Sequence, residues 1–114
     1  MEQLKWIDQQ LTEADLLAQS VVIFSHAPFL PKEGMHTLWN GGRVFELLES
    51  HSCVKAVICG HNHTGNYICR NGIHHITIKG MVESTANRFA IVSVSDDHLA
   101  VKGFGDQPDY DLSI

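Results

Sequence analysis

Val54-Lys55-Ala56-Val57-Ile58-Cys59-Gly60-His61-Asn62-His63 is the stretch from which the fold can be read. Its first six residues are apolar apart from one lysine, the pattern of a strand covered on both faces, and Gly60 halts the run. A second such run, Val21-Val22-Ile23-Phe24-Ser25, stands upstream and leads directly into His26. The residues between the two runs supply first a loop, 26–34, broken by Pro28, Pro31 and Gly34, and then a helix. That helix is expected from an Asn40 N-cap to about His51, with Val44, Phe45, Leu47 and Leu48 as its apolar face. Two buried strands joined by a helix read as parallel neighbours, which makes the chain an α/β protein.

Ligands in such sheets bind outside the carboxyl ends of the strands. Here those ends carry His26 on one side and His61 and His63 on the other. Side chains at i and i+2 of an extended segment point the same way, so His61 and His63 are expected to face one rim together with His26. Gly60 is expected to let the backbone turn tightly there.

Working outward, residues 2–19 read as a helix, because Leu4, Ile7, Leu11, Ala14 and Ala18 recur at helical spacing, flanked by Trp6 and Leu17. Downstream, 66–70 and 73–79 form a hairpin signal around Asn71-Gly72, a pair suited to the positive φ angles of a type I′ turn. A second hairpin is expected from 89–95 and 98–104 around Asp96-Asp97. An α/β unit is thus expected to precede an antiparallel β portion, with 106–114 as a polar tail of uncertain order. No repeat or linker divides the chain, and residues 1–114 are expected as one domain.

Composition narrows the function classes. The chain has 114 residues, 8 basic against 13 acidic, for a formal net charge of −5. Without a Lys/Arg stripe, nucleic acid is not an expected partner. No apolar run is long enough to span a membrane, so no membrane association is expected, and the amphipathic start with acids in it is unlike a secretory signal. Three cysteines are an odd, sparse set that suggests a reducing, cytoplasmic compartment. Eight histidines are the anomaly. They point to imidazole ligation or acid/base chemistry.

Three converging neutral imidazoles suit Zn, Mn, Fe, Co or Ni, whereas calcium and magnesium sites collect oxygen ligands. His36, His51, His74, His75 and His98 read as surface or hydrogen-bonded residues. His74 and His75, adjacent on a strand, lie on opposite faces, so at most one can look into a site. A zinc clip from Cys59, His61, His63 and Cys69 lacks a C-x2-C pair. Cysteine nucleophile chemistry is disfavoured because all three thiols lie in or beside apolar strand-like sequence, where burial raises their pKa. Asp8 and Asp15 fall on the first helix and Asp96 and Asp97 in a hairpin turn, so no carboxylate sits at a strand end near the histidines.

Two segments carry a family resemblance. Val22-Ile23-Phe24-Ser25-His26-Ala27-Pro28 resembles the fourth motif, and Gly60-His61-Asn62-His63 the final GHxH motif, of the calcineurin-like metallophosphoesterases. Gln3-Leu4-x-Trp6-Ile7, Leu38-Trp39-Asn40 and His75-Ile76-Thr77-Ile78-Lys79-Gly80-x-x-Glu83 look most like the manganese-dependent ADP-ribose/CDP-alcohol diphosphatases within that superfamily. The resemblance covers nearly the whole chain, but only the C-terminal portion of such an enzyme.

What the resemblance implies is the C-terminal part of a four-layer α/β/β/α sandwich with a two-metal centre at the sheet edge. By motif match His26 and His61 would ligate one ion and His63 the other, with manganese first and zinc, iron or magnesium as alternatives. The implied substrates are nucleoside diphosphate-type small molecules such as ADP-ribose or CDP-alcohols, split at the diphosphate. The general acid is not assigned. The family's Asp-x-His (or Asp-x-Gln), Gly-Asp and Gly-Asn-His motifs are absent from these residues. The chain therefore reads as a partial domain carrying half of the dinuclear site. It is expected to be inactive alone, with the missing N-terminal half as its partner from the same gene or a second chain. The alternative is a noncatalytic metal-binding module or remnant.

Overall fold

A computed structural model describes residues 2–31 and 35–114. In chain order the elements are α1 (Glu2–Leu16), β1 (Val21–Ser25), α2 (Gly41–Glu49), β2 (Val54–Cys59), β3 (Asn66–Arg70), β4 (Ile73–Thr77), β5 (Phe89–Val94), β6 (His98–Phe104) and β7 (Tyr110–Ser113). They build two sheets, one of four strands in the order β1-β2-β4-β3 and one of three in the order β5-β6-β7.

The parallel neighbours expected from the two apolar runs are present, with Val22 opposite Ala56 and Ser25 opposite Cys59. β2 is central and almost wholly buried. β1 packs Val21 and Ile23 on one core and Val22 on the other, so both faces are covered over most of its length. It lies at the sheet edge, and Phe24 is exposed. The expected hairpin forms through Asn71 and Gly72, both at positive φ (51° and 77°), as a type I′ turn requires. It does not stand with the antiparallel portion, however. β4 inserts parallel to β2, because Ile73, His75, Ile76 and Thr77 are buried and need cover on two sides. The expected extension of β4 to residue 79 stops at Thr77.

Two cores result. Helices α1 and α2 bury Leu11, Ala14, Val44, Phe45 and Leu48 against Val54, Val57 and Ile73 on one face of the first sheet. Its other face presents Ala56, Ile58 and Ile76 to Leu99 and Val101 of the second sheet. The layers are therefore helix, sheet, sheet, three of the four expected for the sandwich. The outer face of the second sheet has no cover among the described residues, and Phe89 and Phe104 stack there with centroids 4.6 Å apart.

Two further expectations are corrected, and one holds in part. Helix α1 stops at Leu16 instead of 19, because Ala18 takes a left-handed conformation (φ 53°) that closes the helix. There Gln19 N–H donates to Ala14 O at 2.9 Å and Ala18 N–H to Asp15 O at 3.2 Å. Asn40 stands at the N-cap of α2 as expected, but its side chain makes no capping hydrogen bond and its Oδ1 is buried without a partner. The polar tail contains β7, which pairs with β6 from His98 opposite Ser113 to Val101 opposite Tyr110. Tyr110, Leu112 and Ile114 pack inward at strand spacing. The loop expected over 26–34 includes Lys32, Glu33 and Gly34, which lie outside the described residues.

Candidate functional site

The parallel pairing of β1 and β2 puts the loops after both strands side by side. Gly60 N–H donates to His26 O at 3.0 Å, which ties the loops at the backbone. Directly above that tie, His26 Nε2 and His61 Nδ1 stand 3.2 Å apart and exposed. One ring donates and the other accepts. The left-handed backbone needed to turn the chain is at His61 (φ 64°), not at Gly60 as expected. Asn62 N–H donates to Gly60 O at 2.7 Å and Gly65 N–H to Asn62 O at 3.0 Å, so 60–65 is a succession of tight turns.

The next histidine follows these turns. The extended alternation that would align His61 with His63 is absent. His63 instead lies against Gly80, whose N–H donates to His63 O at 3.1 Å. A Cβ on Gly80 would come within 2.6 Å of His63 Cδ2, so only glycine leaves room for the imidazole. With Lys79, Glu83 and Arg88, His63 lines a separate polar cavity of about 300 Å³. Lys79 and Arg88 share Asp106 as counter-ion, at 3.2 and 2.5 Å.

The structure therefore joins His26 to His61 and seats His63 against Gly80. Among the described residues no group of three or more His, Cys, Asp or Glu is close enough to hold a metal ion, and the Cys59–His61–His63–Cys69 clip is likewise not assembled. The pair itself has a suitable spacing, since two nitrogens bound to one ion at about 2.1 Å stand roughly 3 Å apart. A third imidazole was not anticipated: the His36 ring lies edge-on to His61 with centroids 5.6 Å apart. Leu38 N–H donates to Pro28 O at 2.9 Å and draws this segment back over the site. The sequence held only an indirect signal of it, in the two prolines of the preceding loop.

The remaining histidines have structural partners. His74 spans the sheets, with Nδ1 2.8 Å from Tyr67 Oη and Nε2 2.8 Å from Ser113 O. His75 is buried edge-on to Phe45, and burial pushes its pKa down to about 4. His51 bridges Asp15 and Asp8, and His98 pairs with Asp97. Burial pushes the Cys53 and Cys59 thiols up, away from the thiolate a nucleophile needs.

No protein-family model matches the chain. Among curated proteins it is 37% identical over 108 residues to the manganese-dependent ADP-ribose/CDP-alcohol diphosphatase of Xenopus laevis, covering 90% of this chain and 30% of that protein. With the human protein of the same name it is 34% identical over 113 residues, covering 95% of this chain and 33% of the relative. Among solved structures, a dimetal phosphatase from Danio rerio superposes with a TM-score of 0.93 at 33% identity, over 99% of this chain and 38% of that one. The chain thus spans about a third of the length of the curated relatives it matches. The resemblance read from the motifs holds over nearly all of this sequence, and the fold is that of part of a dimetal phosphatase.

Proposed function

We propose that this chain is the histidine-bearing part of a metal-dependent hydrolase that cleaves the diphosphate of a nucleoside diphosphate-type substrate such as ADP-ribose or a CDP-alcohol. The observation that carries the reading is the His26–His61 pair, set at the carboxyl ends of two adjacent parallel strands with nitrogens 3.2 Å apart. The names of the similar proteins, manganese-dependent diphosphatases and a dimetal phosphatase, support the reaction class.

In this reading His26 and His61 hold one divalent ion, manganese first, and His63 contributes to a second. Bound there, the two ions would neutralise charge developing on the phosphoryl oxygens during in-line displacement. The chain's own contribution is positioning. The Gly60-to-His26 backbone bond sets the two loops, the turns of 60–65 set the His61 ring, and Gly80 gives the His63 ring its seat. Both imidazoles of the pair must present an unprotonated nitrogen to the ion, so a proton and the metal compete for the same lone pair. The oxygen ligands such a centre also requires would come from the remainder of the fold, in the same gene product or a second chain. The reading further places residues 1–114 as one partial domain in the cytoplasm. Free Cys53, Cys59 and Cys69 support the compartment, and among the described residues no helix is long and apolar enough to cross a membrane.

The test has two stages. Titrating the 114-residue chain with Mn²⁺ or Co²⁺ should show weak binding that His26→Ala and His61→Ala each abolish and His74→Ala leaves intact. The chain combined with the missing portion should then hydrolyse ADP-ribose with Mn²⁺ and lose that activity in His61→Ala, whereas the chain alone should not turn over. Metal binding with no activity in any combination would favour the noncatalytic module.

A further inference from the structure

Residues 78–80 lie between the loop of His63 and the second sheet and are bonded to both. On one side Ile78 N–H donates to Cys59 O at 2.8 Å and Gly80 N–H to His63 O at 3.1 Å. Successive amides of extended backbone point to opposite sides, so Lys79 N–H faces the other way. There it donates to Gln107 Oε1 at 2.7 Å. Gln107 is buried in the turn between β6 and β7, and its side-chain oxygen supplies the acceptor that a neighbouring strand would otherwise provide.

Asp106, the residue before it, reaches the same segment through two cations. It accepts from Lys79 Nζ at 3.2 Å and from Arg88 Nε and Nη2 at 2.5 and 3.1 Å, while Arg88 Nη1 donates to Gly80 O at 3.2 Å. Gly80 is thus held at both backbone groups, by His63 at its N–H and by Arg88 at its carbonyl. The β6–β7 hairpin does not need these side chains for itself. Its ladder runs from His98 opposite Ser113 to Val101 opposite Tyr110, and its turn is tied by Asp109, which accepts from Gly103 N–H at 2.7 Å. The turn also folds back tightly, since a Cβ on Gly103 would come within 1.9 Å of Gln107 O. Asp106 and Gln107 therefore direct their side chains away from their own sheet, onto the segment that seats His63.

We propose that Asp106 and Gln107 are positioning residues for His63: through Lys79, Arg88 and the Gly80 backbone, the β6–β7 turn of the second sheet fixes where that imidazole stands. The His26–His61 pair is set by a different device, the backbone bond between the loops after β1 and β2, so the two parts of the site are placed independently. This rests on the functional reading above for what His63 does, and adds the residues that place it.

Proton–carbon correlation spectra of the histidine rings, recorded on the metal-free chain, test the proposal, with the His63 signal identified by its loss in His63→Gln. Asp106→Ala and Gln107→Ala should each shift the His63 ring signals and speed exchange of the Gly80 amide about tenfold, the order expected from one weakened hydrogen bond, while the signals of His26 and His61 hold. Asp106 is half exposed, so Asp106→Ala should keep its circular dichroism and decides the matter even where Gln107→Ala unfolds. Asp106→Glu, which keeps a carboxylate for Lys79 and Arg88, should return the His63 signals towards their native positions. Lys102→Ala, which removes only the ion pair to Asp109 at the same turn, should leave all three histidines unchanged. Unmoved His63 signals in Asp106→Ala would overturn the proposal, as would an equal shift in Lys102→Ala or a joint shift of His26, His61 and His63. Titration of the same samples with Mn²⁺ should give equal affinity for the native chain and Asp106→Ala, and a loss confined to the variant would overturn the independence of the two parts. No Mn²⁺ binding by either, with the ring spectra as expected, would count against the functional reading alone.

Discussion

His51 fastens to Asp15 through Nδ1 at 2.8 Å, and its other nitrogen reaches Asp8 at 3.0 Å, so one imidazole clamps two turns of α1 to the segment leading into β2. Asp15 also accepts from Ser52 Oγ and Cys53 N–H. Burial alone would lower the pKa of His51, but the hydrogen bonds to Asp15 and Asp8 outweigh it and the net shift is upward from 6.5. The bond from His51 holds Asp15 at about 2, well below its ordinary 3.8.

The signs give a pH window. A raised histidine contributes fully below 6.5 and is lost as pH rises through its higher folded value; a depressed carboxylate contributes fully above 3.8 and is lost as pH falls towards 2. The clamp is therefore strongest between those two ordinary values. The stability difference between the native chain and His51→Gln should be greater at pH 6 than at pH 9 in thermal melts. A difference independent of pH would show that the bridge carries no net charge coupling.

His75 should act in the opposite direction. Burial holds it neutral to about pH 4, so an unfolded chain takes up a proton near 6.5 that the folded one refuses, and stability rises with pH between those values. Its Nε2 is also buried without a hydrogen-bond partner. His75→Leu should flatten the acid side of the stability profile and raise stability at neutral pH by about 1 kcal/mol, the order of the cost of an unsatisfied buried polar group. Urea melts at pH 5 and pH 7 would check both effects, and a destabilised variant at both would contradict them.

Ala18 closes α1 at φ 53°, where a Cβ costs energy that glycine avoids. Ala18→Gly should stabilise the chain by about 1 kcal/mol, the cost of a left-handed residue with a side chain. Equilibrium denaturation would reveal it as a shifted midpoint with an unchanged slope. No gain would mean that the flexibility glycine adds to the unfolded chain offsets the relief.

Gly80→Ala sets a methyl group against the ring of His63 without touching the His26–His61 pair. The histidine ring resonances of His63 should shift in NMR spectra while those of His26 hold. Unperturbed His63 signals would show that the 79–83 segment yields instead of the ring.

The parts of the fold legible in the sequence are those where a local pattern has one reading. Val54 to Cys59 admits only a covered strand, and Asn71-Gly72 admits only a tight hairpin. The edge position of β1 was not legible, because a run such as Val21 to Phe24 reads alike whether its neighbour is present or absent. β7 was hidden by its polar residues, although Tyr110, Leu112 and Ile114 alternate as a half-buried strand does. At the site, His26 and His61 were named because both follow strands. The seat of His63 against Gly80 follows the left-handed turn at His61, and the approach of His36 a bond from Leu38 to Pro28, and neither leaves a sequence pattern.

The insertion of β4 beside β2 also orders the folding of the two sheets. The three-stranded sheet grows from neighbouring segments, Val94 pairing with Leu99 across a short turn. The four-stranded sheet must bring Val21 to Val54 and Ala56 to His74, closing much longer loops before any pairing rewards them. β5–β6 amides are therefore expected to gain protection before those of β1 in pulsed hydrogen exchange, with simultaneous protection as the contrary result. The slower sheet is the one whose strand ends carry His26 and His61, so the two imidazoles are expected to meet only in the last stage of folding.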